Sequence, residues 1–156
     1  MSISRFIATF AYIGYLPWFP GTWASLFTGL LTFLFWRQEY AFLNVLFWLW
    51  AVIVVGIWAA TVYDREHKTH DASEIVIDEV AGQIIALLPL ILIRETGLGW
   101  YTMAVILFRI FDIKKPFGIY RLQDLPQGVG VMADDLLAGI YAALIMVGVL
   151  WIRILL

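Results

Sequence analysis

The chain has 156 residues, of which 63% are hydrophobic and 14% charged, with eight tryptophans, a net charge of -2 and no cysteine. Soluble domains carry about 25% charged residues, so this composition belongs in a bilayer, and its near-balanced charge argues against a nucleic-acid partner. The missing thiols exclude disulfides, thiolate metal ligands and a cysteine nucleophile.

At the N-terminus, one basic residue followed by apolar residues superficially resembles a secretion signal, but aromatic residues and two prolines stand where a small-residue cleavage site belongs. Phe6 to Tyr15 predicts a short interfacial or re-entrant helix, ended by Gly14, Pro17 and Pro20-Gly21. Trp23 to Trp36 is apolar apart from two threonines and a serine, and it is short against the roughly 17 to 25 residues of a full span. Ala41 to Val62 is uncharged and is the clearest span. Glu74 to Ile93 begins acidic and turns apolar, with Pro89 as a source of a kink. Trp100 to Ile113 is apolar until Arg109 and Asp112, and Leu136 to Ile152 forms a last span behind Asp134 and Asp135. The expectation is an all-α, polytopic membrane helical bundle of about four or five membrane segments with a short N-terminal interfacial helix, residues 1 to 156 forming one domain.

If Trp23 to Trp36 crosses, the loops at 63 to 79 and 114 to 135 share the side of the N-terminus. That side then carries Arg5, Arg65, Lys68, Lys114, Lys115 and Arg121, against Arg37, Arg94 and Arg153 opposite, a bias that predicts a cytoplasmic location.

Ten of the twelve acidic residues fall between Asp64 and Glu79 or between Asp112 and Asp135. Carboxylates crowded at the ends of apolar helices repel one another and need a compensating cation, for which a hard divalent ion is suited. On a continuous helix Asp71, Glu74 and Asp78 form one stripe while Glu79 projects about 100° away. Helix capping competes with metal binding as an explanation for Asp71 and Glu74, and less so for Asp78 and Glu79, which lie deeper in apolar sequence. Arg109 and Asp112, one turn apart, either pair with each other or divide a ligand, and Lys114 and Lys115 either snorkel to the interface or meet an anion. Capping explains one of the adjacent Asp134 and Asp135 more easily than both, and Ala138 and Gly139 behind them allow another helix to approach closely. His67 and His70 read as a solvated loop, and the tryptophans as interfacial belts.

Taken in order, Pro20-Gly21-Thr22, Ile75-Val-Ile-Asp78-Glu79-x-x-Gly82, Phe108-Arg109-x-Phe-Asp112-x-x-Lys115-Pro116 and Val131-Met-x-Asp134-Asp135-x-x-Ala138-Gly139 resemble the bacterial phosphatidylglycerophosphatase A family over roughly Gly14 to Ala143. Ala24 and Gly118 depart from the family pattern, where glycine and proline are common. The resemblance implies a Mg2+-dependent phosphatase that converts phosphatidylglycerophosphate to phosphatidylglycerol and phosphate at the cytoplasmic face of the bacterial inner membrane. It implies catalytic roles for Asp78, Glu79, Asp112, Asp134 and Asp135, a metal shell of Asp78, Glu79, Asp134 and Asp135, and phosphate binding by Arg109, Lys115 and Thr22. Water attack is the preferred chemistry, with an aspartyl-phosphate route open, and a homo-oligomer is compatible with this reading. The competing class is a cation transporter or channel-like protein, which needs polar groups through the membrane depth and not at one face.

Overall fold

The computed structural model describes residues 2–35 and 41–156, and among these it is all-helical, with no strand. The helices are α1 (Ile3–Ala8), α2 (Pro20–Phe35), α3 (Ala41–His67), α4 (Ile77–Leu92), α5 (Leu98–Lys114) and α6 (Gly128–Leu155), with short 3-10 turns at Ile13–Tyr15 and Ile119–Asp124. Trp36, Arg37 and Glu39 lie outside the described residues.

Among the described residues, two helices are long and apolar enough to cross a membrane, Phe42–His67 and Gly128–Leu155. Both bury only a minor share of their residues inside the protein and direct large apolar side chains outward, including Phe47, Trp50, Leu144 and Trp151. The core helix of a soluble domain would be buried on most of its surface. The remaining long helices are shorter, with 16 residues in α2, 16 in α4 and 17 in α5. At 1.5 Å per residue they extend roughly 24 to 26 Å, less than the ~30 Å hydrocarbon core.

The most buried helix is α4, which packs against α2, α3, α5 and α6 and makes its most extensive contact with α6. Small residues set that contact. A Cβ at Gly82 would stand 2.5 Å from the Asp135 carbonyl oxygen and 2.5 Å from Phe108 Cε2, and one at Gly139 would collide with the Gly82 backbone. Each glycine lies one helical turn beyond an acid, Gly82 after Asp78 and Gly139 after Asp135, so the closest crossing of the two helices fixes their carboxylates side by side.

A second seam forms on α2, whose buried residues Gly21, Ala24, Ser25, Thr28, Gly29 and Thr32 make one small face. Ser25, Thr28 and Thr32 donate their hydroxyl hydrogens to the carbonyl oxygens four residues earlier, at 2.7 to 2.9 Å, so this polar stripe is satisfied within its own helix.

Four element boundaries differ from the sequence reading. The segment expected as one helix over Phe6 to Tyr15 is α1 followed by left-handed Phe10, Ala11 and Tyr12 and a 3-10 turn. Here Gly14 packs directly against the Glu74 carbonyl, where a Cβ has no room. The acidic stripe starting at Asp71 does not form, because α4 begins at Ile77 and Asp71 takes a left-handed conformation at φ 58°. The cause lies in α3: buried Asp64 accepts hydrogen bonds from Thr69 Oγ1 at 2.8 Å and from the Asp71 backbone N–H at 3.0 Å, winding 68–71 into a turn. Finally, α3 continues to His67, and α6 starts at Gly128, so Asp134 and Asp135 sit inside a helix and not before one.

Candidate active site

The acidic start of α4, the C-terminal turn of α5 and the second turn of α6 meet at one end of the bundle. They enclose a cavity of about 250 Å³ whose wall includes Gly21, Asp71, Asp78, Glu79, Arg109, Asp112, Lys115 and Asp135. The loops belong to the same end: Gln123 donates to the Asp71 carboxylate at 3.1 Å, and Arg5 lies 3.1 Å from His67 Nε2.

One carboxylate oxygen from each of Asp78, Glu79 and Asp135 falls within 4.8 Å of the others. Asp78 Oδ1, Glu79 Oε2 and Asp135 Oδ2 are buried and, among the described residues, have no hydrogen-bond partner. Buried anionic oxygens without donors are costly, and three together repel one another. The cavity wall holds five carboxylates and two basic side chains, a formal excess of three negative charges. Hard oxygen donors at such spacing fit a divalent cation of the Mg2+ class.

The two basic residues are held differently. Arg109 Nη1 lies 2.5 Å from Asp112 Oδ2 and 3.6 Å from Glu79 Oε1, leaving Nε buried without a hydrogen-bond partner. Lys115 caps α5 in a left-handed conformation at φ 43° and forms an ion pair with Asp134. Burial works against the Lys115 charge, but the hydrogen bond and charge of Asp134, with Asp135 and Asp112 nearby, outweigh it and hold the ammonium above the usual lysine range. Both cations therefore face the carboxylate group, an arrangement suited to an anionic ligand.

Residues 6–150 match the model of the family described as phosphatidylglycerophosphatase A. The chain belongs to the phosphatidylglycerophosphatase A family. It is 35% identical to a Haemophilus influenzae protein named phosphatidylglycerophosphatase A, covering 81% of this chain and 76% of that one, and 33% identical to the Escherichia coli protein of the same name, covering 83% and 73%. A Bacteroides thetaiotaomicron protein named as a candidate phosphatidylinositol-3-phosphatase is 36% identical over 89% of this chain and 88% of its own. No solved structure matches. Membership in this family makes the chain a phosphatase enzyme.

Against the residues expected from sequence, the phosphatase fold brings Asp78, Glu79, Asp112, Asp135, Arg109 and Lys115 to one cavity. Asp134 is turned to Lys115 and stands apart from the three-carboxylate group, and Thr22 is not on the cavity wall. In the Pro20-Gly21-Thr22 stretch it is Gly21 that abuts the site: a Cβ there would collide with Glu79 Oε1 and come within 2.9 Å of Arg109 Nη1. Sequence reasoning also gave no site role to Ser73 and Phe19, which line the cavity, and left Asp71 between capping and binding. The Pro20-Gly21 pair was the available signal for the close approach at Gly21.

Proposed function

We propose that this phosphatase hydrolyses phosphatidylglycerophosphate to phosphatidylglycerol and inorganic phosphate, as a single-domain, multi-pass protein of the bacterial inner membrane with its site on the cytoplasmic side. The observation that carries the reading is the convergence of Asp78, Glu79 and Asp135 opposite Arg109 and Lys115 in one cavity at one end of an apolar bundle. A permeation path would need polar groups along the membrane depth, and the charged cluster here is confined to that end, which favours an enzyme over a transporter. Trp18 and Phe117, 84% and 83% exposed, ring the same end as interfacial anchors. With α2, α4 and α5 counted as further membrane segments, the bundle has five.

Asp78, Glu79 and Asp135 would hold Mg2+, which when bound supplies charge neutralisation for a phosphomonoester in an otherwise anionic cavity. Arg109 presents a planar fork to phosphate oxygens, and Lys115 a point charge. Asp112, paired with Arg109, would orient the guanidinium and accept a proton from the attacking water. Asp134 keeps Lys115 charged and aimed. Water adds to phosphorus as Asp112 takes its proton, the P–O bond to the lipid glycerol breaks, and the leaving alkoxide receives that proton, giving the alcohol and phosphate. The name of the Bacteroides relative supports a second head group, phosphatidylinositol 3-phosphate, which offers the same monoester chemistry. Phosphate release from both lipids, with Mg2+ and after chelation, separates the two head groups.

A further inference from the structure

We propose that the seam between α2 and α5 is the acyl-chain site of the lipid substrate and sets its chain-length preference. The inference rests on the lipid-phosphate reading above and adds to it where the tail lies. Three contacts fix the seam. Gly21 abuts Arg109 at the cavity, Gly29 lies so close to α5 that a Cβ would be 2.9 Å from Val105 Cγ2, and Phe33 meets Tyr101 edge-on with centroids 5.2 Å apart. The helices thus run antiparallel away from the site.

Along this line lies a groove of about 230 Å³, walled by Leu26 and Leu30 of α2 and by Val105 and Ile106 of α5. Its floor exists because Gly29 carries no side chain, and its rims, Leu26, Leu30 and Ile106, are exposed to the outer face of the bundle. Val105, the groove residue nearest the site, precedes Arg109 by one helical turn, about 6 Å of axial rise, and the groove runs from there along α5 toward Leu98. A molecule with an anionic head at Arg109 and an apolar tail attached through a short polar linker fits this succession of surfaces. The recess of about 340 Å³ on the other side of α2, lined by Trp48, Val52, Val80 and Ile84, is equally apolar, but no α5 residue lines it and it has no corresponding line of contacts to Arg109.

The test compares kcat/KM for dioleoyl and dihexanoyl phosphatidylglycerophosphate in detergent micelles with Mg2+, using wild type, Ile106→Trp, Ile106→Ala and Val52→Trp. Ile106 is 54% exposed, so a larger ring is tolerated by the fold while it fills the groove. Ile106→Trp is expected to lower the long-chain to short-chain ratio about tenfold, equivalent to about two methylenes no longer buried. Ile106→Ala is expected to keep the long-chain preference, and Val52→Trp to leave the ratio at the wild-type value. Should Ile106→Trp fail to accumulate, Leu30→Trp fills the groove from the α2 wall with the same expectation. A ratio within twofold of wild type in the groove-filled variant, or an equal drop in Val52→Trp, overturns the acyl-chain site and leaves the phosphatase reading standing. Wild type that cleaves neither lipid overturns both.

Discussion

Replacing Asp78 by Asn retains the side-chain volume and removes one charge from the three-carboxylate group. Asp78 is buried in the first turn of α4, and its Oδ1 has no hydrogen-bond partner within the protein. In the metal-free protein this change should therefore relieve repulsion from Glu79 and Asp135, so thermal stability is expected to hold or rise. With Mg2+ the sign reverses. One of the three proposed anionic ligands is lost, and the proposed electrostatic contacts at the phosphate weaken with it, which is expected to cost on the order of a hundredfold or more in turnover. The assay is phosphate release by membrane-inserted Asp78→Asn protein across a Mg2+ series, alongside a melting curve in chelator. The expected pattern is a turnover loss of that size, a half-activating Mg2+ concentration raised about tenfold or more, and an unchanged or higher melting temperature without metal. Near-normal turnover at low Mg2+ would remove Asp78 from the proposed metal shell, and a large fall in metal-free stability would make its role structural.

Gly139→Ala drives a methyl into the Gly82 backbone and should destabilise the α4/α6 crossing by about 1–3 kcal/mol while lowering activity, measured by denaturation and phosphate release; wild-type values in both would refute the close crossing. Asp64→Ala removes the acceptor for Thr69 and for the Asp71 N–H and should cost about 1–3 kcal/mol, seen as faster hydrogen exchange over 68–74; unchanged exchange would refute the latch. Lys115→Met should raise KM for the lipid phosphate more than it lowers kcat, and equal losses in both would refute a phosphate-binding role. Because the folded pKa of Lys115 lies above its unfolded value, the stabilisation from its pair with Asp134 is complete below the ordinary lysine value and is lost only as pH rises through the folded one. The stability difference between wild type and Lys115→Met should therefore shrink as pH rises through the folded Lys115 value, above the ordinary lysine range.

The residue types of the site were legible because charge is expensive in apolar sequence: Asp78, Glu79, Arg109, Asp112, Lys115 and Asp135 stand out where a span begins or ends. The partition among them was not. Adjacent acids on a helix point about 100° apart, so Asp134 and Asp135 had to diverge, but which one turns to Lys115 depends on the rotation of α6 imposed by the Gly82 and Gly139 contact. The start of α4 was misread for a related reason. Asp71 and Glu74 have helix-compatible spacing, and the buried carboxylate that winds 68–71 into a turn, Asp64, lies in the preceding helix. Hydropathy marked α3 as the clearest span, yet α4 is the helix that the others surround, because apolar content alone does not distinguish a lipid-facing helix from a buried one.

Asp78, Glu79 and Asp135 are proposed to make this phosphatase a metal-dependent lipid phosphomonoesterase. The most direct test is phosphate release by the purified protein from a panel of lipid phosphates, including phosphatidylglycerophosphate and phosphatidylinositol 3-phosphate, with Mg2+ and after exhaustive chelation. The expected result is Mg2+-dependent release from phosphatidylglycerophosphate above the other lipids, abolished by chelation and restored by added Mg2+. Full activity in the chelated protein, or no release from any lipid phosphate, would contradict it.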